Sequence, residues 1–292
     1  MLSILFALAT AAANAVAVTA QHIASTSRRG LSLWRLVAHL VRHPLWWLGW
    51  VGMAASLVGQ ALALHFGPLS LVQPLLVSEL VIALVLRRTW LRQSIRPSAW
   101  ASALLTVVAL AAFLALAAPH APAVAPPTAR RWLGASGVSA LVAVGFAAGG
   151  RRGSPRHRAA FFASATAVVW AIEAAFIKAT TDVIASSGYG GLFAHWPVYA
   201  LIVAGVAGLL SEQTALHVGP LQVSQPLIVI VDPLASVVVG VWLYHEHLAT
   251  SGLRAPLAAI AFALMAGGVI VLSRTAPATM DRAPRPDEST TS

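Results

Sequence analysis

Six ionisable side chains stand inside stretches that are otherwise apolar: Glu79, Glu173, Lys178, Asp182, Glu212 and Asp232. A charge at the centre of a membrane helix costs about 2.5–3.5 kcal/mol on insertion scales, so such residues mark a cavity, a partner or an ion pathway. On a helix Lys178 and Asp182 are four apart and share a face, where they neutralise each other. Glu173 and Lys178 are five apart and diverge by roughly 140°. Glu173 therefore lacks a partner on its own helix and lies one turn from Trp170, which makes it the leading candidate for a titrating or substrate-facing group. The alternative for it is a neutral glutamic acid hydrogen-bonded between helices. Asn14, Gln21, Gln73 and Gln225 add amides at similar positions. Together these types suit the handling of an ion, a proton or a polar solute.

Three of the polar residues precede proline: Gln73-Pro74, Gln225-Pro226 and Asp232-Pro233. Proline removes a backbone donor and clashes with the carbonyl four residues back, so Pro74, Pro226 and Pro233 are expected to break or kink their helices. Freed carbonyls are tolerated at membrane depth only against protein or a wet cavity. Gln60 and Glu212 fall nearer the span ends and are candidate gates. His65 and His217 each precede Gly-Pro at a helix junction, where histidine more often caps carbonyls than binds a ligand. His245-Glu246-His247 lacks the four-residue spacing of a helical zinc motif and reads as the polar end of a span. No catalytic or metal site, cofactor motif or nucleophile–base pair is found, so an enzyme is not expected.

The elements that must position these residues are membrane helices. Over 292 residues, 58% are hydrophobic and 10% charged, and the mean hydropathy is +0.79. Nine apolar spans of bilayer length can be drawn, at about 2–21, 45–64, 69–86, 98–118, 131–149, 159–184, 196–214, 220–243 and 252–273. The first ends in Ala-rich sequence reminiscent of a signal-peptidase site, yet nothing basic precedes it, and it is expected to be retained. The chain is read as an all-α polytopic membrane protein. Fifteen arginines flank the connections after spans one, three and five and the C-terminal tail, against Arg130, Arg131 and Arg254 on the other side. The positive-inside rule then puts the N-terminus outside and the C-terminus in the cytoplasm of a multi-pass protein of the cell membrane. The net charge of +10 is topological in origin, which removes the case for nucleic acid as a partner. With no cysteine, thiolate metal sites and disulfides are excluded.

The segment from Ala63 to Val77 recurs from Ala215 to Val229, 152 residues later, with ten of fifteen positions identical, including His-x-Gly-Pro-Leu and Gln-Pro-Leu. At the same offset Asn14 meets Thr166, Gln21 meets Glu173, His43 meets His195, Gln60 meets Glu212, and Glu79 falls one residue short of Asp232. Spans one to four thus correspond to six to nine around a central fifth helix. An odd number of spans separates the copies, so they form two inverted four-helix repeats, an arrangement that opens alternately to two sides. The expected organisation is a first repeat at 1–121, a linker and central helix at 122–158, a second repeat at 159–273 and a disordered cytoplasmic tail at 274–292.

The duplicated Gly-Pro-Leu…Gln-Pro-Leu segments at 67–75 and 219–227, and the run Val231-Asp232-Pro233-Leu234 leading to Gly240-Val241-Trp242-Leu243-Tyr244-His245-Glu246-His247-Leu248, resemble the drug/metabolite transporter superfamily with EamA-like repeats. Glu246 and Leu248 match that family's helix end, in which a glutamate is followed by a basic residue and a leucine; His247 replaces the basic residue. Typical members have ten helices. With nine, the chain is more similar to NIPA-type magnesium transporters and to uncharacterised Ala/Leu-rich bacterial membrane proteins. The resemblance implies a secondary carrier with a central cavity between the repeats. The expected cargo is a small polar or amphipathic metabolite, coupled to protons through Glu173 or Asp232 and oriented by Gln73 and Gln225. The alternatives are magnesium or another hard divalent cation, and a membrane partner protein that transports nothing. The substrate is unidentified, the bilayer is the other partner, and a homodimer stays open as an assembly.

Overall fold

In lipid every backbone N–H and C=O must find a partner within the chain, which leaves the helix as the natural form for apolar spans of this length. The computed structural model describes residues 1–26, 44–92, 94–121, 126–249 and 251–275, and is helical almost throughout. The side chain of Gln21, the His43 position, the arginines of the first connection and the tail from 276 onward lie outside the described residues. Nine helical stretches among the described residues are long and apolar enough to cross a membrane, as expected of a multi-pass protein.

The helices are α1 (Leu2–Thr26), α2 (Pro44–Phe66), α3 (Leu69–Leu76), α4 (Ser78–Thr89), α5 (Pro97–Ala117), α6 (Ala129–Gly149), α7 (Pro155–Ser187), α8 (Trp196–Val218), α9 (Leu221–Tyr244) and α10 (Arg254–Thr275). Prolines at the first turns of α5, α7 and α8 start helices where no intrahelical donor is needed. The Ser154 hydroxyl caps α7 by accepting from the His157 N–H at 3.3 Å. Together α3 and α4 form the third span, Leu69–Thr89.

That span is interrupted at Val77, three residues after Pro74. There the chain tightens into three-residue bonds, Val77 N–H to the Pro74 carbonyl at 3.1 Å and Leu80 N–H to the Val77 carbonyl at 3.2 Å. The Ser78 hydroxyl donates to the Leu75 carbonyl at 2.7 Å, satisfying an acceptor beside the break. The eighth span behaves differently: α9 runs unbroken through Pro226 and Pro233, where interruptions were expected. Each proline deletes one donor, and the bonds above and below suffice to carry the helix past it.

Small residues set the packing. Gly52 lies against Ala13 and Ala17, and Gly67 lies near Ser3, so α1 and α2 run antiparallel in close contact. The same kind of pairing joins α7 to α8 and α5 to α10. One buried cluster unites Leu64, Leu69 and Val72 with Ile172, Phe176 and Leu243, tying the α2–α3 junction to α7 and α9. A second holds Phe113 of α5 against Phe262 and Met265 of α10, the two phenyl rings meeting edge to face with centroids 5.5 Å apart.

The α5–α10 seam makes a paired prediction. A Cβ at Gly268 would stand 3.0 Å from the Ser102 carbonyl oxygen and press on the Thr106 hydroxyl, while one at Gly267 meets nothing within 4 Å. Gly268→Ala is expected to lose about 1–3 kcal/mol through overpacking. Gly267→Ala should be neutral or gain up to about 1 kcal/mol from helix propensity. Thermal unfolding in detergent distinguishes the two.

Candidate functional site

A cavity of about 490 Å³ lies between helices from the two halves of the chain. Its polar lining consists of Asn14 on α1, Ser56 and Gln60 on α2, Gln73 on α3, Glu79 on α4, Trp170 and Glu173 on α7, Glu212 on α8, and Gln225 and Asp232 on α9. Residues spread over more than two hundred positions of sequence thus meet in one space. Among the described residues its lining contains no lysine, arginine or histidine.

Helix breaks and close contacts place these groups. Val77, where α3 gives way to α4, lines the cavity between Gln73 and Glu79. Pro233 has no N–H to give the Val229 carbonyl, and both residues line the same space. Gly205 and Gly208 of α8 make room for α7: a Cβ at Gly205 would lie 3.3 Å from Glu173 Oε1, and one at Gly208 would lie 3.0 Å from the Trp170 ring.

The four carboxylates are unequally supplied with donors. The Asn14 amide donates to Glu79 Oε2 at 2.8 Å, and the Ser236 hydroxyl donates to Asp232 Oδ1 at 3.2 Å. Glu173 and Glu212 have no hydrogen-bond partner among the described residues. Glu173 is close enough to Asp232, and Glu79 to Glu212, for each pair to feel the other's charge. Asn14→Ala is expected to cost about 1 kcal/mol, the usual size of an interhelical polar contact in a membrane, and Asn14→Asp to cost more by facing Glu79 with a second carboxylate. Unfolding midpoints in detergent check both.

Of the lining residues, Met53 and Leu57 are exposed near the middle of α2, and Gln225 is exposed near the Leu221 end of α9. Gln73, only 3% exposed, lies at the opposite end. The exposed Gln225 lies toward the Gly219–Pro220 junction and the buried Gln73 toward Gly67–Pro68.

The Gly67–Pro68 end of the bundle is built around Glu246, which is 1% exposed. Its carboxylate accepts from the Leu69 N–H at 2.6 Å, the Ser70 N–H at 2.9 Å and the Ser70 hydroxyl at 2.6 Å. Pro68 offers α3 no side-chain cap, so a carboxylate from beyond α9 serves the orphan donors of this helix start and meets the positive end of its dipole. Lys178 donates to the carbonyls of Leu64 and Gly67, the latter at 3.0 Å, closing the end of α2. Tyr244 lies beneath Lys178, with the ammonium 5.6 Å from its ring centroid, and its hydroxyl donates to the Ala175 carbonyl at 2.9 Å. Trp132, Phe176, Trp196 and Tyr244 form a connected aromatic cluster beside it.

Several sequence candidates take other places. Lys178 is outside the cavity lining and makes no direct salt bridge with Asp182, although it is near enough to feel that carboxylate's charge; Asp182 Oδ1 stands 3.5 Å from His65 Nδ1. The carbonyl cap expected of His65 belongs to Lys178. Trp132, near the start of α6, is buried. Glu246, read as a polar span end, is the most fully bonded carboxylate among the described residues. Its signal was the uncapped start of α3 after Gly67-Pro68, which needed an acceptor from elsewhere.

Comparison with known proteins adds one relative of unassigned activity. The chain is 27% identical over 279 residues to an uncharacterized protein of Corynebacterium glutamicum, a match covering 94% of this chain and 96% of that protein. No protein-family model matches the chain, and no solved structure matches it.

Proposed function

We propose that this protein is a secondary active transporter that moves a small polar or amphipathic solute across the cell membrane, driven by a proton gradient through Glu173 and Asp232. The observation that carries this reading is the cavity itself. Carboxylates and amides from both halves of the chain converge on it at membrane depth, with Gln225 exposed at one end and Gln73 buried at the other. Retaining several such groups in apolar helices is costly unless they serve a pathway.

The duplicated sequence supports an inverted-repeat architecture around α6. Helices α1 and α2 pair as α7 and α8 do, α1 meets the third span as α7 meets α9, and α5 pairs with α10. These contacts follow the 152-residue offset of the sequence copies. Gly67-Pro68 and Gly219-Pro220 fall at opposite ends of the bundle because five spans separate them. By arginine distribution the Gly219–Pro220 end, where Gln225 is exposed, faces the cytoplasm with the N-terminus outside, and we read the conformation as inward-facing. Gln73 and Gln225, near the two ends, orient the solute. For the magnesium alternative, no three His, Cys, Asp or Glu side chains among the described residues stand close enough to hold a metal ion.

The test is flux into proteoliposomes carrying the purified protein, with an imposed pH gradient and internal dyes for protons and magnesium. Proton movement that appears only with added solutes supports the reading. Magnesium entry without such dependence replaces it with the cation alternative, and silence across a broad solute panel removes transport from consideration.

A further inference from the structure

Resting on that transport reading, we infer that the cargo is a small organic cation, a protonated or quaternary amine. It is held among the carboxylates of Glu79, Glu173, Glu212 and Asp232, with the Trp170 indole and the Gln73 amide completing its site.

Charge complementarity is the first support. The lining holds four carboxylates and, among the described residues, no basic side chain. Lys178, the single lysine of the chain, is committed to the Leu64 and Gly67 carbonyls. An anionic cargo would meet unscreened repulsion in a space walled by apolar helices, where charge interactions are stronger than in water. A neutral cargo would be accommodated only with these carboxyls protonated, whereas a cation also answers their ionised forms. A cation brings the charge that this lining lacks.

Hydrogen-bond supply is the second, independent support. Glu246 shows how this chain treats a buried carboxylate that has only a structural role: three donors converge on it. Glu173 and Glu212 receive none among the described residues. Gln73, 3% exposed, lines the cavity with its amide unpartnered among the described residues, and a buried amide in that state is an unmet demand for a ligand. An ammonium or a hydroxyl-bearing quaternary amine answers both deficits.

Size and aromatic content separate an organic cation from a bare ion. A cavity of about 490 Å³ is on the scale of small-molecule sites. No group of three His, Cys, Asp or Glu side chains stands close enough to hold a metal ion among the described residues. The indole of Trp170, packed over Gly208, is the side chain best suited to a diffuse positive charge.

The experiment uses the full-length protein in lipid nanodiscs and measures saturable binding of choline, tetraethylammonium and benzylamine. Two near-isosteres of choline serve as comparators, neutral 3,3-dimethylbutan-1-ol and anionic 3,3-dimethylbutanoate. At least one cation should bind about tenfold or more tightly than both comparators, and Glu173→Gln and Asp232→Asn should each weaken it about tenfold or more, as expected for loss of one charge partner in a desolvated site. Should these variants fail to fold, carbodiimide labelling of wild-type carboxylates, located by mass spectrometry, replaces them; the bound cation should protect Glu173 or Asp232. Failure of all three cations to bind, equal or tighter binding of a comparator, or labelling unaffected by cation would overturn the proposal. Cation binding without proteoliposome flux keeps this site and removes the transport reading, whereas flux confined to neutral or anionic solutes keeps transport and overturns the cation assignment.

Discussion

Glu246→Ala is expected to destabilise the protein by about 3–5 kcal/mol, because it strands the Leu69 and Ser70 N–H groups and the Ser70 hydroxyl in a dry helix junction. Glu246→Gln keeps one acceptor oxygen and should cost roughly half as much. Gly240 supplies an internal check. A Cβ there would lie 2.8 Å from Glu246 Cδ, so Gly240→Ala should cost about 1–3 kcal/mol in the wild type and much less once Glu246 is alanine. Unfolding of the four proteins in detergent measures the coupling; additive costs would mean that the carboxylate and Gly240 do not share the junction. In the transport reading the same contact seals the Gly67–Pro68 end, so Glu246→Ala should also weaken that closure.

Glu173→Gln is expected to lower gradient-driven flux about tenfold or more, the size of one lost charge-dependent interaction of roughly 1.4 kcal/mol or larger, while leaving the fold intact. Glutamine matches the shape of the side chain beside Gly205 and removes its ability to carry a proton. Solute exchange without a gradient should survive at solute concentrations high enough to offset the weaker binding, since it requires reorientation but no net proton movement. The flux of the variant should also lose its dependence on pH. Full gradient dependence in Glu173→Gln would move the coupling role to another lining carboxylate, with Asp232 tested next.

Much of this site was legible before any coordinates. Apolar length located the spans, and the high cost of a carboxylate in lipid singled out Glu79, Glu173, Glu212 and Asp232. The 152-residue offset linked residues such as Gln60 and Glu212 that share the cavity. What sequence could not show was which long-range partner each polar group would find. Lys178 had an attractive local mate in Asp182 one turn away, yet the carbonyls at the end of α2 claimed it. Exposed carbonyls in a low-dielectric junction outweigh a pair that one partner can leave to solvent. Glu246 was obscured for the same reason, since its donors lie 176 and 177 positions away. Proline gave the right positions with unequal results: Pro74 lies beside a real interruption, whereas Pro226 and Pro233 are absorbed by a continuous helix.

The central claim, that one cavity serves both faces of the membrane in turn, is tested most directly by thiol accessibility. The chain has no cysteine, so Ser56→Cys in the cavity lining and Ser70→Cys behind the Glu246 seal can each be the sole thiol. Vesicles of both orientations are treated with a membrane-impermeant maleimide, at rest and under an imposed proton gradient with the amine panel. At rest, Ser56→Cys should react only from the side of Gly219–Pro220 and Ser70→Cys from neither. During turnover both should become reactive from the Gly67–Pro68 side, and Glu246→Ala should produce that access at rest. Reaction of Ser56→Cys from both sides at rest, or from one side under every condition, would contradict alternating access.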